Sequence, residues 1–537
     1  MKSQIAIAVA ALLASPLALQ AAPPQFSIEL EHLASLDTEV NDGTGAEIVA
    51  FDTKSKRAFA INSDDNDLVV IDLADPATPA IITKVSMSAY GAGLNSVATH
   101  RGLVAVAVEA DPKTDPGKVV FIDALSLDVL GAVVVGALPD MLTFADDGRK
   151  VLVANEGEPN SYGQPDSVNP EGSISIIDLG SGVGSAVVNT ASFAPFNAHK
   201  DMLVAAGVRI FGDGATVAQD LEPEYITYRG RTAWVTLQEA NAVAVVDIPS
   251  ATVQEILPLG LKDHSIPGNG LDPSDRDGDV LIGNWPVFGM YQPDAIASYK
   301  VGKETFLVTA NEGDSRSEDD FPGFNEEVSV EDDEYVLDPY VFPNADDLKK
   351  RPALGRLNVS DKTGDIDGDG DFDRIDVFGA RSFSIWNSHG QLIWDSGDQF
   401  EQFFADPANG YRSIFNASNS NNNFDNRSDN KGPEPEGVTV GKVGPNVYAF
   451  IALERIGGVM AYDISDPAAP VFADYANTRT LATLGGDLGA EGITFVPEED
   501  SPNGIPLVLV GNEVSGTVAI FQVNKTKSKG GKPKKNR

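Results

Sequence analysis

Short apolar runs rich in Val, Ile, Phe and Ala, bounded by Gly, Pro, Asp or Asn, recur along almost the whole chain. Scarcely any segment carries the spacing of an amphipathic helix. The runs fall into a repeat. Each copy opens on an acidic or amide residue ahead of a short apolar strand, at Glu47, Asn95, Asp140, Glu224, Asp294, Glu436 and Glu491. A second strand follows, over 57–62, 103–109, 150–156, 232–239, 305–312, 447–454 and 506–513. A third closes on Asp72, Asp123, Asp178, Asp247, Asn387, Asp463 or Gln522. The shorter spacings between copies, 48, 45 and 55 residues, suit a four-stranded propeller blade of ~40–50 residues. The pattern predicts an all-β fold, a seven-bladed beta-propeller over 27–523, with long acidic loop insertions where the spacing stretches. A pair of stacked sheets would house the strands but would not explain the sevenfold recurrence.

The two ends read differently. Lys2 precedes the apolar stretch Ile5–Leu19, and small residues follow at Ala21 and Ala22. This predicts a signal peptide over 1–21 and an exported protein, periplasmic or secreted. No segment reaches the ~18 apolar residues of a membrane-spanning helix. Residues 524–537 read as a basic flexible tail, a solvated end or an arm for an acidic surface.

Composition narrows the chemistry. Lys and Arg number 39 against 79 Asp and Glu, a net charge of −40, with no Cys and five His. Such acidity excludes nucleic acid as the main partner, because a phosphate backbone calls for a basic footprint. Without Cys there are no disulfides, thiolate catalysis, Fe–S clusters or Cys-ligated zinc. Abundant carboxylates suit hard cations, Ca²⁺ above all.

In a propeller the innermost strands line a central channel, so equivalent residues form rings. The acids opening the repeats would make one ring. The acids ending the second strands would make another: Glu109, Glu156, Glu239, Glu312, Glu454 and Glu513, with Ser63-Asp64 in the first copy. Carboxylates crowded in this way raise one another's pKa values, and a bound cation relieves them. Glu156, Glu239, Asp294, Glu312, Glu454 and Glu491 are the candidate metal ligands. The other reading has each acid cap its own blade through backbone N–H groups. A separate signal is Asp365, Asp367, Asp369, Asp371, Asp373 and Asp376, at positions 1, 3, 5, 7, 9 and 12 of a calcium-type loop with Gly370 at position 6. Asp275-Arg276-Asp277-Gly278-Asp279 is a shorter version. No nucleophile motif is present. Arg316, Arg381 and Arg455 lie beside acids or a strand end, where they would clamp a phosphate or form salt bridges.

The ordered segments PDMLTF, LVANEGEP, PEGSISIIDL, LEPEYIT, LGLKDHSIPGNGLDPSDRDG, PVFGMYQPDAIASY, TANEGDSR, FGARSFSIW, DNRSDNKGPEPEGVTV, ERIGGVMAYDISDPAAP and GAEGITFV resemble the choice-of-anchor I family of exported bacterial proteins. That family is related to the mesenchyme-specific cell-surface glycoprotein of echinoderm skeletal cells. The resemblance implies a beta-propeller, and some members are labelled alkaline phosphatase. Others are linked to calcium biomineralisation or surface attachment. The chain ends in a basic tail where members often carry an anchoring segment. Two functions follow as expectations. One is a Ca²⁺-dependent phosphatase or phosphodiesterase at the acidic channel mouth. Glu224 or Glu436 would be its general base, Arg316, Arg381 and Arg455 would stabilise charge, and a small phosphate ester would be its substrate. The alternative is a non-enzymatic calcium-binding protein for an extracellular surface, matrix or mineral ligand. A binding module for a small exported ligand is a third. The chain is expected to be a monomer.

Overall fold

The computed structural model describes residues 26–39, 45–145, 148–318 and 321–527. The predicted signal peptide and residues 528–537 of the predicted tail lie outside them. Among the described residues the fold is all-β, built from seven four-stranded sheets and one five-stranded sheet. The longest helices, Lys200–Ala206 and Gln399–Ala405, have seven residues each. No described helix is long and apolar enough to cross a membrane.

The first six four-stranded sheets are antiparallel meanders whose strands follow one another along the chain, as Gly45–Asp52, Arg57–Asn62, Asp67–Asp72 and Ala80–Ser86 do in the first. In the fifth, the third strand arrives only after a long insertion, so Glu304–Asn311 pairs with Ser382–Asn387. The middle strands are buried on both faces, Val104 to Val108 completely. A sheet sandwiched between two neighbours has no polar face to show, so its strands read as continuous apolar runs rather than alternating ones. Outer strands such as Val187–Ser192 are mostly exposed or half-buried.

Apolar layers fill the space between successive sheets and return to the start. Phe59 and Val70 of the first sheet meet Val104 and Val120 of the second. Phe121 meets Val151 of the third. Further layers join the third to the fourth through Ile176 and Val235, and the fourth to the fifth through Trp234 and Trp386. Phe383 packs with Tyr462 of the sixth, and Phe450 with Phe521 of the seventh. Leu509 then packs against Val69 and Ile71 of the first sheet, which closes the ring. The first and last described strands lock it: Phe26–Asp37 pairs along Thr517–Lys527 as the outermost strand of the seventh sheet. The predicted tail boundary therefore moves, because Asn524 to Lys527 belong to that strand, facing Glu29 to Phe26.

The predicted acidic loop is more structured than expected, and three short strands of it join two from the segment ahead of the fifth sheet. Leu261–Asp263, Val287–Met290, Ile375–Val377, Asn358–Ser360 and Glu327–Ser329 form the five-stranded sheet in that spatial order. Its own core of Val330, Tyr335, Leu337, Leu354, Leu357 and Val359 is apolar and buried.

Inner strands of neighbouring sheets line a central cavity of about 440 Å³. Hydroxyls stitch its wall. Thr99 Oγ1 donates to the Phe51 carbonyl at 2.7 Å, Thr494 Oγ1 to the Val49 carbonyl at 2.7 Å, and Thr227 and Ser298 hydroxyls bond at 2.8 Å.

Candidate metal centre

The repeat-opening residues sit at one recurrent irregularity. Six inner strands slip register at the acidic or amide position: between Gly45 and Val49, Leu94 and Ser96, Pro139 and Leu142, Pro223 and Ile226, Pro435 and Val438, and Ala490 and Ile493. A bulge re-aims the side chain it carries. Here it turns Glu47, Asn95, Asp140, Glu224, Glu436 and Glu491 toward the channel mouth. Asp294 lies just ahead of its strand, Ile296–Val301.

Glu224, Glu436 and Glu491 each keep one buried carboxylate oxygen with no hydrogen-bond partner. Those oxygens cap nothing, contrary to the capping reading. Capping falls to the amides that precede the second ring. Asn155 Nδ2 donates to the Ser173 carbonyl and to Ser175 Oγ, and Asn311 Nδ2 to Ser382 and Ser384. The following residues, Glu156 and Glu312, are left to face the mouth.

Burial dominates the electrostatics, and mutual repulsion adds to it. It pushes Glu47 up to about 8, with Glu513 next in effect, and Asp140 up to about 7, with Glu158 next. Burial and neighbouring acids likewise hold Glu156, Glu224, Asp294, Glu436 and Glu491 well above the usual carboxylate range. Tyr225 was not foreseen. Its hydroxyl is driven up by burial and then by Asp294, Glu491, Asp140 and Glu436, which places it among acids of four sheets.

Two groups of three acids offer ligand oxygens within 4.8 Å of one another at the mouth: Glu156, Glu222 and Glu239, and Glu312, Glu434 and Glu454. Oxygens on opposite sides of a calcium ion, at 2.3–2.6 Å each, lie about 4.6–5.2 Å apart, so either spacing suits it. The predicted ligands Glu156, Glu239, Glu312 and Glu454 are thus brought together in pairs. Asp294 and Glu491 belong to the ring beside them. Glu222 and Glu434 were missed, although each stands two residues before a ring acid in a shared Glu-Pro-Glu tripeptide at 222–224 and 434–436.

The arginines need correction. Arg316 is fully buried and spends its guanidinium on Asp220 Oδ1 at 2.6 Å and Glu222 Oε2 at 2.7 Å. Arg381 is buried against Glu401 Oε1 at 2.6 Å and donates to the carbonyls of Asp272, Ser428 and Asn430, each at 2.7 Å. Neither can clamp a phosphate, because every such contact would strip a buried carboxylate or carbonyl of its partner. Arg455 reaches Glu434 and Glu454, both at 2.9 Å, and keeps a quarter of its side chain exposed.

The calcium-type loop is also modified. Asp365, Asp367 and Asp373 converge, and so do Asp371, Asp373 and the unforeseen Asp338. Asp369 accepts from the Asp371 amide at 3.2 Å and belongs to neither group. Asp376 is buried and gripped by Arg374 at 2.6 and 2.8 Å, so the last predicted ligand is withdrawn from the loop.

A family model for the choice-of-anchor I domain matches residues 47–467. Gigasin-3a of Magallana gigas is 31% identical over 187 residues, which cover 32% of this chain and 64% of that protein. The mesenchyme-specific cell surface glycoprotein of Strongylocentrotus purpuratus is 28% identical over 397 residues, covering 64% of this chain and 50% of that protein. The chain thus spans about half to two thirds of these relatives' length. Among solved structures, Kuenenia stuttgartiensis hydrazine synthase aligns over 90% of this chain and 97% of its own, at TM-score 0.45 and 12% identity. The Myceliophteria thermophila Cps50 (Swd1) beta-propeller domain aligns over 92% and 100%, at TM-score 0.43 and 10% identity.

Proposed function

The chain belongs to the choice-of-anchor I family, and from that premise we propose that it is an exported, seven-bladed beta-propeller that binds divalent cations, Ca²⁺ foremost, at its acidic channel mouth. Its seven four-stranded sheets are read as the seven blades. One observation carries the reading: inner strands of successive sheets deliver carboxylates to one mouth, and several of their buried oxygens have no hydrogen-bond partner. Buried like charges of this kind are stable only when protonated or matched by a cation. The exported, surface-facing role is drawn from a relative named as a cell surface glycoprotein. It agrees with the signal peptide expected over 1–21.

The non-enzymatic reading is favoured over hydrolysis. Two of the three arginines that would stabilise a phosphate transition state are consumed by internal pairs. A hydrolase reading survives on Glu224 and Glu436, whose raised affinity for protons suits a general base. Calorimetric titration of the chelator-stripped protein with Ca²⁺ tests the first reading. With the calcium-type loop silenced by Asp373→Asn, joint replacement of the mouth acids (Glu156→Gln, Glu239→Gln, Glu436→Gln and Glu491→Gln) is expected to remove calcium uptake, and uptake equal to that of Asp373→Asn alone would sink it. Phosphate-ester turnover that returns with Ca²⁺ and is absent in Glu436→Gln would establish the hydrolase instead.

A further inference from the structure

The two mouth triads are related constructions that differ at one position. Each takes one acid from the Glu-Pro-Glu ahead of an inner strand, Glu222 or Glu434. Each takes a second from just past the next strand of that sheet, Glu454 directly after Leu453 and Glu239 one residue further on, after Leu237 and Gln238. The third comes from the preceding sheet, Glu156 or Glu312. Their counter-charges differ. Lys431 Nζ lies 2.6 Å from Glu312 Oε1 and 3.2 Å from Glu434 Oε2. Arg455 bridges Glu434 and Glu454, and Arg427 lies 2.7 Å from Glu434. Three carboxylates there face three cations. At the place equivalent to Lys431, three before the first Glu, the other triad has Gln219, and at the place of Arg455 it has Glu239 itself, because Pro223 pairs with Leu237 as Pro435 pairs with Leu453. Gln219 turns away, its Nε2 donating to the Asn169 carbonyl at 2.7 Å. Arg316 serves Glu222 Oε2 and Asp220 only. Among the described residues, Glu222 Oε1 and Glu239 Oε2 are left buried with neither a hydrogen bond nor an ion pair, in residues 1% and 4% exposed, whereas Glu454 Oε2, also without a hydrogen bond, has Arg455 at 2.9 Å.

We propose that Glu156, Glu222 and Glu239 form a single divalent-cation site, and that Lys431 fills the equivalent place in the Glu312–Glu434–Glu454 triad, which therefore takes no metal. This rests on the reading of the mouth as a cation-binding site and assigns the ion to one side of it. The ligands are all oxygens and hold three formal charges, the donor set of a hard cation such as Ca²⁺. The ammonium of Lys431 is a compact point charge with three donors, able to stand where an ion would.

The test is calcium calorimetry on the chelator-stripped full chain, in an Asp373→Asn background that silences the exposed loop. Glu156→Gln and Glu239→Gln, which leave the Arg316 pairs intact, are expected to weaken one site at least about tenfold through loss of a charged ligand. Glu312→Gln should leave the number of sites unchanged. Lys431→Gln, which copies Gln219, should add a site. Circular dichroism and a cooperative melt confirm that each variant folds. Loss of binding in Glu312→Gln but not in Glu156→Gln or Glu239→Gln would overturn the assignment, as would an unchanged site count in Lys431→Gln. If only the Glu436→Gln, Glu491→Gln pair abolishes binding, the mouth still binds cations and this assignment falls alone. If no mouth variant alters binding, both fall.

Discussion

Stripping cations from this protein is expected to make its stability fall as pH rises. Glu47 and Asp140 carry the effect. An unfolded Glu47 releases its proton near 4.5, whereas the folded side chain holds it to about 8. The folded state therefore binds more protons between these values. Stability is complete below the unfolded pKa and is lost as pH climbs through the folded one. At about 1.4 kcal/mol per pKa unit, the change from 4.5 to about 8 amounts to about 5 kcal/mol for Glu47 alone. Asp140, moving from 3.8 to about 7, adds less than its separate value, because it is part of what raises Glu47. Unfolding entropy of about 2.1 cal/mol/K per residue gives about 1 kcal/mol per degree for a chain of this size, so the melting temperature should drop by about 5 °C. Calcium should offset about half of the drop by neutralising neighbouring carboxylates at the mouth. At a hundred times its dissociation constant it contributes about 2.7 kcal/mol. Scanning calorimetry in chelator and in calcium, from about pH 5 to about pH 9, measures both effects. The reasoning fails if the chelated protein melts at one temperature throughout. It also fails if calcium raises the melt as much at the acid end as at the alkaline end.

Three further outcomes follow from particular contacts. Asp373 serves both groups of the calcium-type loop, so Asp373→Ala should abolish calcium protection of residues 365–373 against proteolysis; protection equal to wild type would remove the loop as a site. Arg316→Met leaves Asp220 and Glu222 buried without their counter-ion and should cost about 3–5 kcal/mol in denaturant unfolding, whereas a loss below about 1 kcal/mol, the scale of a surface pair, would show that the pair carries little. Removing Phe26–Asp37 bares the edge of Thr517–Lys527 and takes Ile28 and Leu30 from the layer between the sixth and seventh sheets. The shortened chain should self-associate on size exclusion and be rescued by the added strand peptide, and a monomer with a wild-type melt would contradict closure by that strand.

The strands were legible because of where the sheets sit. A blade pressed between two neighbours keeps apolar residues on both faces, so Val104 to Val108 or Val151 to Ala154 stand out as uninterrupted runs between polar stops. The repeated acids were legible for the same reason, since each lies at a constant offset from such a run. The bulge that aims them was not, because an extra residue in one strand shows only against its partner. The small sheet of the insertion was hidden too. Val330, Tyr335, Leu337, Leu348 and Leu354 are spaced with no period of two or of three to four, and their burial is a tertiary fact.

Arginines mislead for a related reason. Arg316 stands two residues after Asp314, and that adjacency suggested a guanidinium beside the site. Its true partners, Asp220 and Glu222, are 96 and 94 residues away along the chain and completely buried with it. Charge reading along a sequence sees neighbours, while a buried ion pair is decided by which loops the ring brings together. Repetition recovers part of what adjacency loses. The Glu-Pro-Glu at 222–224 recurs at 434–436, and the residues around the two copies can be compared position by position. Gln219 against Lys431 and Glu239 against Arg455 are the differences that matter, because they remove two cations from one copy of the triad, which keeps Arg316 on Glu222 Oε2, and leave Glu222 Oε1 and Glu239 Oε2 unpaired.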